Sequence, residues 1–379
     1  MIERGKLSSL QLGCIMYLTV IATSMMSAPS FSHSQAENDM WLSPIIGSIP
    51  AFALIGMLGT LHRLYPGKSL IEYSRSIMGN WMGTILNVAF LLTCLLQSAN
   101  QIRQFGELMN QFFFKRTPLA VVISTLFVVC ILAVRLGVEV IGRASLLFMP
   151  FVILIVVAFF LPFYKDVQLD RVLPLFHDGM TPVLRSSFYI QIWLPMYVYA
   201  SFFLPFLSDV KHAAKRCLQS LLATVVTLSS VMLLILFILG PATSSYEYPF
   251  MVLARYLSMF DFLEQFDAVI MVFWVMNVFI RTIVTLYALS LGIAQLLKLS
   301  DYRPLAFPVG MLVIAICFWG TPSIADLFAA SPHMSFIFFG AYIVIPLLLY
   351  IVAMVRNSGS SNKEHAEPSN ISTQQAGQQ

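Results

Sequence analysis

The stretch ASLLFMPFVILIVVAFFLPF, Ala144–Phe163, runs for twenty residues without a single charge. A helix rises ~1.5 Å per residue, so a run of this length crosses the ~30 Å hydrocarbon core of a bilayer. Working outward, comparable apolar runs fall at 10–27, 42–63, 81–102, 118–134, 183–206, 218–240, 267–296, 304–320 and 335–355. Short polar connections bearing Pro and Gly separate them, such as Tyr65-Pro66-Gly67-Lys68 and Ser300-Asp301-Tyr302-Arg303-Pro304. The expected fold class is an all-α polytopic membrane protein with about ten transmembrane helices, numbered 1 to 10 in chain order. Composition excludes a soluble reading. Only 11% of the 379 residues are charged and 58% are hydrophobic, whereas soluble domains carry about 25% charged residues.

Residues 1–356 read as a single membrane domain. Asn357 to Gln379 is rich in Ser, Asn and Gln and poor in apolar residues, which predicts a disordered tail. The first apolar run lacks a small-residue cleavage pattern and reads as a retained helix. The five cysteines (Cys14, Cys94, Cys130, Cys217, Cys317) lie scattered in apolar runs with no CxxC and no neighbouring His. They read as small packing residues, with no metal site and no cofactor expected. A net charge of +4 without a basic stripe excludes nucleic acid as a partner and leaves the lipid bilayer.

Orientation follows from the Lys and Arg count in the connections. The N-terminus, the connections 2–3, 4–5, 6–7 and 8–9, and the tail together hold fourteen; the opposite connections hold five. An even number of helices with both termini cytoplasmic satisfies this bias.

Two helices look interrupted at corresponding positions of two five-helix halves. Helix 1 carries Ala22-Thr23-Ser24-Met25-Met26-Ser27-Ala28-Pro29, and helix 6 carries Trp193-Leu194-Pro195-Met196-Tyr197-Val198-Tyr199 with Pro205 beyond. An interior proline removes a backbone hydrogen bond and clashes with the preceding turn, at about 3 kcal/mol or more. Freed carbonyls survive in lipid only against protein or a cavity. Either these are the broken helices of a transporter-type site, or Pro29 ends helix 1 and Pro195 is an ordinary membrane kink.

Over most of its length, from about Leu7 to Arg356, the chain resembles the endospore germination permease family. The pieces that carry the resemblance are Asp39-Met40-Trp41, Tyr65-Pro66-Gly67-Lys68-Ser69-Leu70-Ile71-Glu72-Tyr73 and Gly79-Asn80-Trp81-Met82-Gly83. Others are Arg103, Arg116-Thr117-Pro118 and Gly137-Val138-Glu139-Val140-Ile141-Gly142-Arg143, followed by Leu173-Pro174-Leu175, Phe203-Leu204-Pro205 and Phe279-Ile280-Arg281. Their order and spacing, more than any one of them, make the likeness.

That family comprises the membrane B subunits of nutrient germinant receptors, within the amino acid–polyamine–organocation transporter superfamily. The resemblance implies a LeuT-type fold of two inverted five-helix repeats, with a small-molecule site between helices 1, 3, 6 and 8. It also implies residence in the spore inner membrane and two partners, a membrane A subunit and a lipoprotein C subunit. The implied role is to sense a nutrient germinant and start germination. Where family members often carry a small residue followed by a glutamate, this chain has Tyr197-Val198-Tyr199, so the ligand of a relative does not transfer.

Among the residues themselves, Arg281 stands alone in the middle of a run. Either it binds the carboxylate of an amino-acid germinant, or it takes the place of a coupling cation, or it makes a structural ion pair or reaches a wet vestibule. Arg103 and Glu107, one turn apart, are expected to pair at a snorkelling helix end. Further candidates for the ligand pocket are Ser24 and Ser27 on helix 1, Thr93 and Gln97 on helix 3, Tyr197 and Tyr199 at the helix 6 break, and Asn277 one turn from Arg281. No Asp, Glu or His occupies the middle of a run, which disfavours a proton relay. No nucleophile–base pair or phosphate-binding loop suggests an enzyme. The expected function is a non-enzymatic germinant-sensing subunit, and the alternative is a secondary transporter of amino acids or related solutes.

Overall fold

A computed structural model of the chain describes residues 3, 5–165, 167–258, 266–320 and 324–364. Eight helical runs among them are long and apolar enough to cross a membrane. One of these, Thr23–Leu64, joins the second half of helix 1 to helix 2, and the broken helix 6 is too short in each piece to count. Separating the first two and adding helix 6 gives ten passes.

Helix 1 is Ser9–Ala36, and helix 2 is Ser43–Gly47 followed by Ile49–Leu64. Helices 3, 4 and 5 are Asn80–Phe112, Leu119–Leu136 and Val138–Phe160. Helix 6 starts at Thr181, helix 7 is Ala213–Leu239 and helix 8 is Phe266–Leu296. Helix 9 is Ala306–Gly320, and helix 10 runs from Ile324 to Glu364 around a π-helical turn at Gly340–Val344. The segment 357–364, expected to be disordered, thus continues helix 10; the rest of the expected tail lies outside the described residues.

Local sequence explains the ends. Ser8 caps helix 1 through a reciprocal pair with Gln11, and Ser69 with Glu72 does the same for a short helix, Leu70–Met78, before helix 3. Helices 4 and 5 are joined by Gly137 alone, at φ 98°, a left-handed conformation that a side chain disfavours. A Cβ there would also stand 3.1 Å from the Glu3 carboxylate.

Helix 5 is peripheral and helix 8 central: 17% of the most apolar window of the first is buried, against 67% for the second. The outward side of helix 5, with Leu147, Phe151, Leu154 and Val157 exposed, faces lipid. Helix 1 packs on helices 5, 7, 8 and the start of helix 6, while helix 3 packs on helices 4, 8, 9 and 10. Arg281 therefore sits on the most enclosed helix, between helices 1 and 3. The five cysteines are buried in the packing.

The two proline-bearing helices behave differently. Helix 1 is α-helical throughout, with Pro29 inside it, so the break expected there is not present. Its hydroxyls turn back on the helix: Thr19 donates to the Ile15 carbonyl (2.7 Å), Ser24 to Val20 (2.8 Å) and Ser27 to Thr23 (3.0 Å). In helix 6 the α-conformation stops at Tyr189. Tight 3₁₀ turns follow at Ile190–Ile192 and Leu194–Tyr199, then one α-turn, Ala200–Phe203, and a last 3₁₀ turn, Leu204–Phe206. Pro195 has no N–H to continue the ladder, and the chain rewinds around it.

On the N-terminal side, the residues before helix 1 tie several helix ends together. Leu7 N–H donates to the Phe206 carbonyl (3.0 Å), and Ser208 N–H donates to the Leu7 carbonyl (2.8 Å). Ser9 donates both its backbone N–H and its hydroxyl to Asp209, each at 2.6 Å. The buried Glu3 carboxylate accepts from the Tyr302 hydroxyl (2.6 Å) and from Val138 N–H (3.3 Å).

Candidate ligand site

Around the helix 6 break, four helices turn polar atoms toward one another. Gln97 on helix 3 donates its amide to the Ile192 carbonyl (3.1 Å), an acceptor beside the break. On the next residue, Trp193 donates its indole N–H to the Thr23 hydroxyl of helix 1 (3.0 Å). That same hydroxyl oxygen accepts from Nη1 of Arg281 on helix 8. Thr23 thus links helices 1, 6 and 8 through one oxygen atom.

Helix 3 supplies a ladder of amides at helical spacing. Gln97, Asn100, Gln101 and Gln104 share one side, three or four residues apart. Gln101 donates to the Thr282 hydroxyl (3.0 Å), next to Arg281, and Gln104 donates to the Ser27 hydroxyl (3.0 Å).

These groups surround a cavity of about 50 Å³. The amides of helix 3, Trp193, Ile192 and Arg281 form its polar side; Phe31, Met334 and Phe338 close the other. About 10–15 Å³ suffices for one water, so the cavity has room for water. Among the described residues, two buried polar atoms of the lining side chains have no hydrogen-bond partner, Arg281 Nε and Gln101 Oε1. Arg281 is 2% exposed, and none of the ion pairs among the described residues involves it.

Of the residues expected in the pocket, Gln97 and Arg281 line this cavity and Ser27 adjoins it through Gln104. Ser24 and Thr93 bond the carbonyls one turn back on their own helices, Val20 and Ala89. Asn277 donates to the Phe273 carbonyl (2.7 Å), and its own oxygen is buried without a partner. The two tyrosines of helix 6 diverge. Tyr197 bonds Ser220 (2.8 Å) and Thr224 (3.2 Å) on helix 7, while Tyr199 bonds Tyr342 (2.9 Å) in the π-turn of helix 10. Arg103 and Glu107 pair at 2.6 Å, as expected.

Sequence reasoning passed over Thr23, Asn100, Gln101, Gln104 and Trp193, and the whole of helix 10's contribution. The helix 3 amides had a legible signal, since four of them recur at helical spacing where the helix should be apolar. Met334 and Phe338 had none, because such residues are equally at home against lipid.

A buried polar site beside a broken sixth helix, in a bundle of ten passes, defines the class: a polytopic helical protein with the LeuT-type transporter fold. It superposes on a Na+-coupled sialic acid symporter in a substrate-bound outward-open state with a TM-score of 0.65, at 11% identity, covering 94% of this chain and 90% of that one. The nucleobase-cation-symport-1 transporter MHP1, closed with bromovinylhydantoin bound, gives 0.64 at 12% identity, covering 94% of both chains.

Within that class the chain belongs to the spore germination protein family, whose sequence profile matches residues 6–325. It is 24% identical over 362 residues to spore germination protein YndE of Bacillus subtilis (strain 168), covering 94% of this chain and 98% of the relative. Spore germination protein KB of the same organism is also 24% identical, over 365 residues, covering 93% and 95%. The protein is thus a non-enzymatic, multi-pass member of a germination permease family.

Proposed function

We propose that this chain is the membrane subunit of a spore nutrient germinant receptor. A small nutrient, an amino acid in the simplest case, occupies the cavity between helices 1, 3, 6, 8 and 10, and its binding helps to trigger germination. The observation that carries the proposal is the buried Arg281, held in a cavity at the helix 6 break within a chain of the germination family. Family membership supports assembly with a membrane A subunit and a lipoprotein C subunit, in the spore inner membrane. The excess of Lys and Arg on one side supports cytoplasmic termini.

A ligand that binds one of two states of the cavity better than the other shifts the balance between them. Such differential affinity for two states is sufficient for signalling and requires no net passage of solute. The test is a nutrient panel on spores with and without the gene, following both refractility loss and uptake of labelled nutrients. A nutrient-specific germination defect with unchanged uptake supports the receptor. Normal germination with reduced uptake of one solute would make the chain a secondary transporter instead.

A further inference from the structure

Away from the cavity of Arg281, we infer a phospholipid site on the flank of the bundle, formed by helices 5 and 7 and by residues 167–171 between helices 5 and 6. One acyl chain lies in the groove between the two helices, and the lipid phosphate meets the Arg171 guanidinium.

The groove lies inside two membrane spans. Phe160 of helix 5, Val167, and Ser230, Leu233, Leu234 and Phe237 of helix 7 line a space of about 310 Å³. The four helix 7 residues recur at helical spacing on one face, so the groove follows that helix for about 10 Å. Its mean cross-section is therefore about 30 Å², a width near 6 Å. A partner's α-helix, about 10–12 Å across, does not enter such a groove; an extended hydrocarbon chain does.

Arg171 stands at one end of it. Its Nη1 donates to the carbonyls of Phe237 (3.1 Å) and Ile238, which are among the last of helix 7 and lack partners within the helix. The side chain lies over Gly240, where a Cβ would stand 3.2 Å from Nε. Among the described residues its hydrogen bonds are these two, so the donors on Nη2 and Nε are available to a phosphate. The depth is right as well. Helix 7 has 27 residues and is about 40 Å long, more than the ~30 Å of hydrocarbon, so its last carbonyls lie near the headgroups.

The segment that carries Arg171 is itself suited to a lipid surface. Leu169, Leu173, Leu175, Phe176 and Met180 are all exposed, and exposed apolar patches mark surfaces that meet a membrane or a protein. The segment is also clasped to the turn after helix 1: Asn38 donates to the Leu173 carbonyl (3.2 Å), and Phe176 N–H donates to Asp39 (2.8 Å). A lipid held here props the end of the helix that bears Thr23.

The headgroup decides the affinity. Lipid tails are as apolar as leucine, so a chain leaving its neighbours for this groove gains no hydrophobic free energy. A phosphate on a guanidinium fixed in place gains a charge-assisted contact. Asp170 precedes Arg171 in sequence, so the attraction is that of a directed contact and not of a basic field.

The test uses the purified full-length chain, stripped of lipid in detergent and titrated with phosphatidylglycerol or with diacylglycerol of the same acyl chains. Native mass spectrometry counts bound lipid, and the unfolding temperature reports binding. Phosphatidylglycerol is expected to bind saturably at one site per chain, and diacylglycerol at least about tenfold more weakly. Arg171→Gln also removes the cap of helix 7 and lowers stability with either lipid, so its readout is the difference between the two lipids, which should vanish. Should that variant fail to fold, Ser230→Trp decides. It fills the groove at a half-buried position away from Arg171 and should abolish the bound lipid.

Equal affinity for the two lipids overturns the inference, and so does undiminished binding by Ser230→Trp. A chain that takes up no lipid but purifies as a dimer would assign the groove to a second copy instead.

Discussion

Thr23, Gln97 and Arg281 each perform a task that depends on a single polar atom. Arg281→Ala removes the guanidinium from the cavity wall and is expected to abolish or shift the nutrient response while the amount of protein in the membrane stays normal. The measurement is germination dose response alongside an immunoblot of the membrane fraction; an unaltered dose response would disprove the site. Gln97→Leu acts on stability. It deprives the Ile192 carbonyl of its 3.1 Å partner from helix 3, and an unsatisfied buried acceptor costs about 1–3 kcal/mol. Thermal unfolding in detergent should show that loss, and a change near zero would mean that water substitutes for the amide. Arg281 and Gln97 were legible in the sequence because a charge or an amide inside an apolar run is conspicuous. Ser24 and Thr93 were equally conspicuous, yet their hydroxyls serve their own helices. Whether a hydroxyl turns outward or bonds the preceding turn is a rotamer choice made by its neighbours.

Among elements, helices 6 and 10 carry 3₁₀ and π turns, and they meet at these irregular places. Helix 6 proceeds in 3₁₀ turns from Leu194 to Tyr199, and Tyr199 joins Tyr342 within the π-turn Gly340–Val344. Tyr342 in turn stacks on Phe338 of the cavity wall, with ring centres 6.0 Å apart. Movement of the apolar wall is thereby connected to helix 6. Replacing Tyr199 and Tyr342 by Phe, singly and together, should reveal a coupling of about 0.5–1.5 kcal/mol in unfolding, the ordinary value of one buried hydrogen bond. Strictly additive effects would show that the two helices are not joined through these hydroxyls. Pro195 pointed to either a break or a kink in helix 6, since proline lacks the donor that an α-helix needs. The π-turn was not, because no residue type requires one. Nor did Pro29 break helix 1, whose last turns stay wound against their neighbours.

For the whole molecule, the segment before helix 1 holds the neighbouring ends of several helices in one arrangement. Glu3→Ala removes the acceptor of the Tyr302 hydroxyl and of Val138 N–H. Hydrogen exchange at Leu7 and Ser208, whose N–H groups bind across to 206 and 7, should then accelerate; unchanged protection would confine Glu3 to a local role. The tie between Ser9 and Asp209 adds a pH dependence. The two hydrogen bonds from Ser9 hold the Asp209 carboxyl below the ordinary value of 3.8. A carboxylate with a depressed pKa contributes its stability in full above the unfolded value and loses it as pH falls through the folded one. Protection of Ser9 N–H, taken relative to the intrinsic exchange rate at each pH, should therefore fall on acidification below about pH 4, and Ser9→Ala should flatten that fall.

At this largest scale the division of information is clear. The sequence alone determined about ten passes, the excess of positive charge in one set of connections, and the presence of a proline and an arginine inside apolar runs. Each of these depends on local quantities, namely run length, apolarity, a missing N–H and a charge in hydrocarbon. Only the tertiary structure decided that helix 1 stays whole, that Tyr197 and Tyr199 serve different neighbours, and that Gln101 and Arg281, beside a cavity of about 50 Å³, each keep one buried polar atom without a partner. Those outcomes depend on how each helix is rotated and which polar atoms its neighbours satisfy, and rotation is set by packing between distant segments rather than by any segment's own residues.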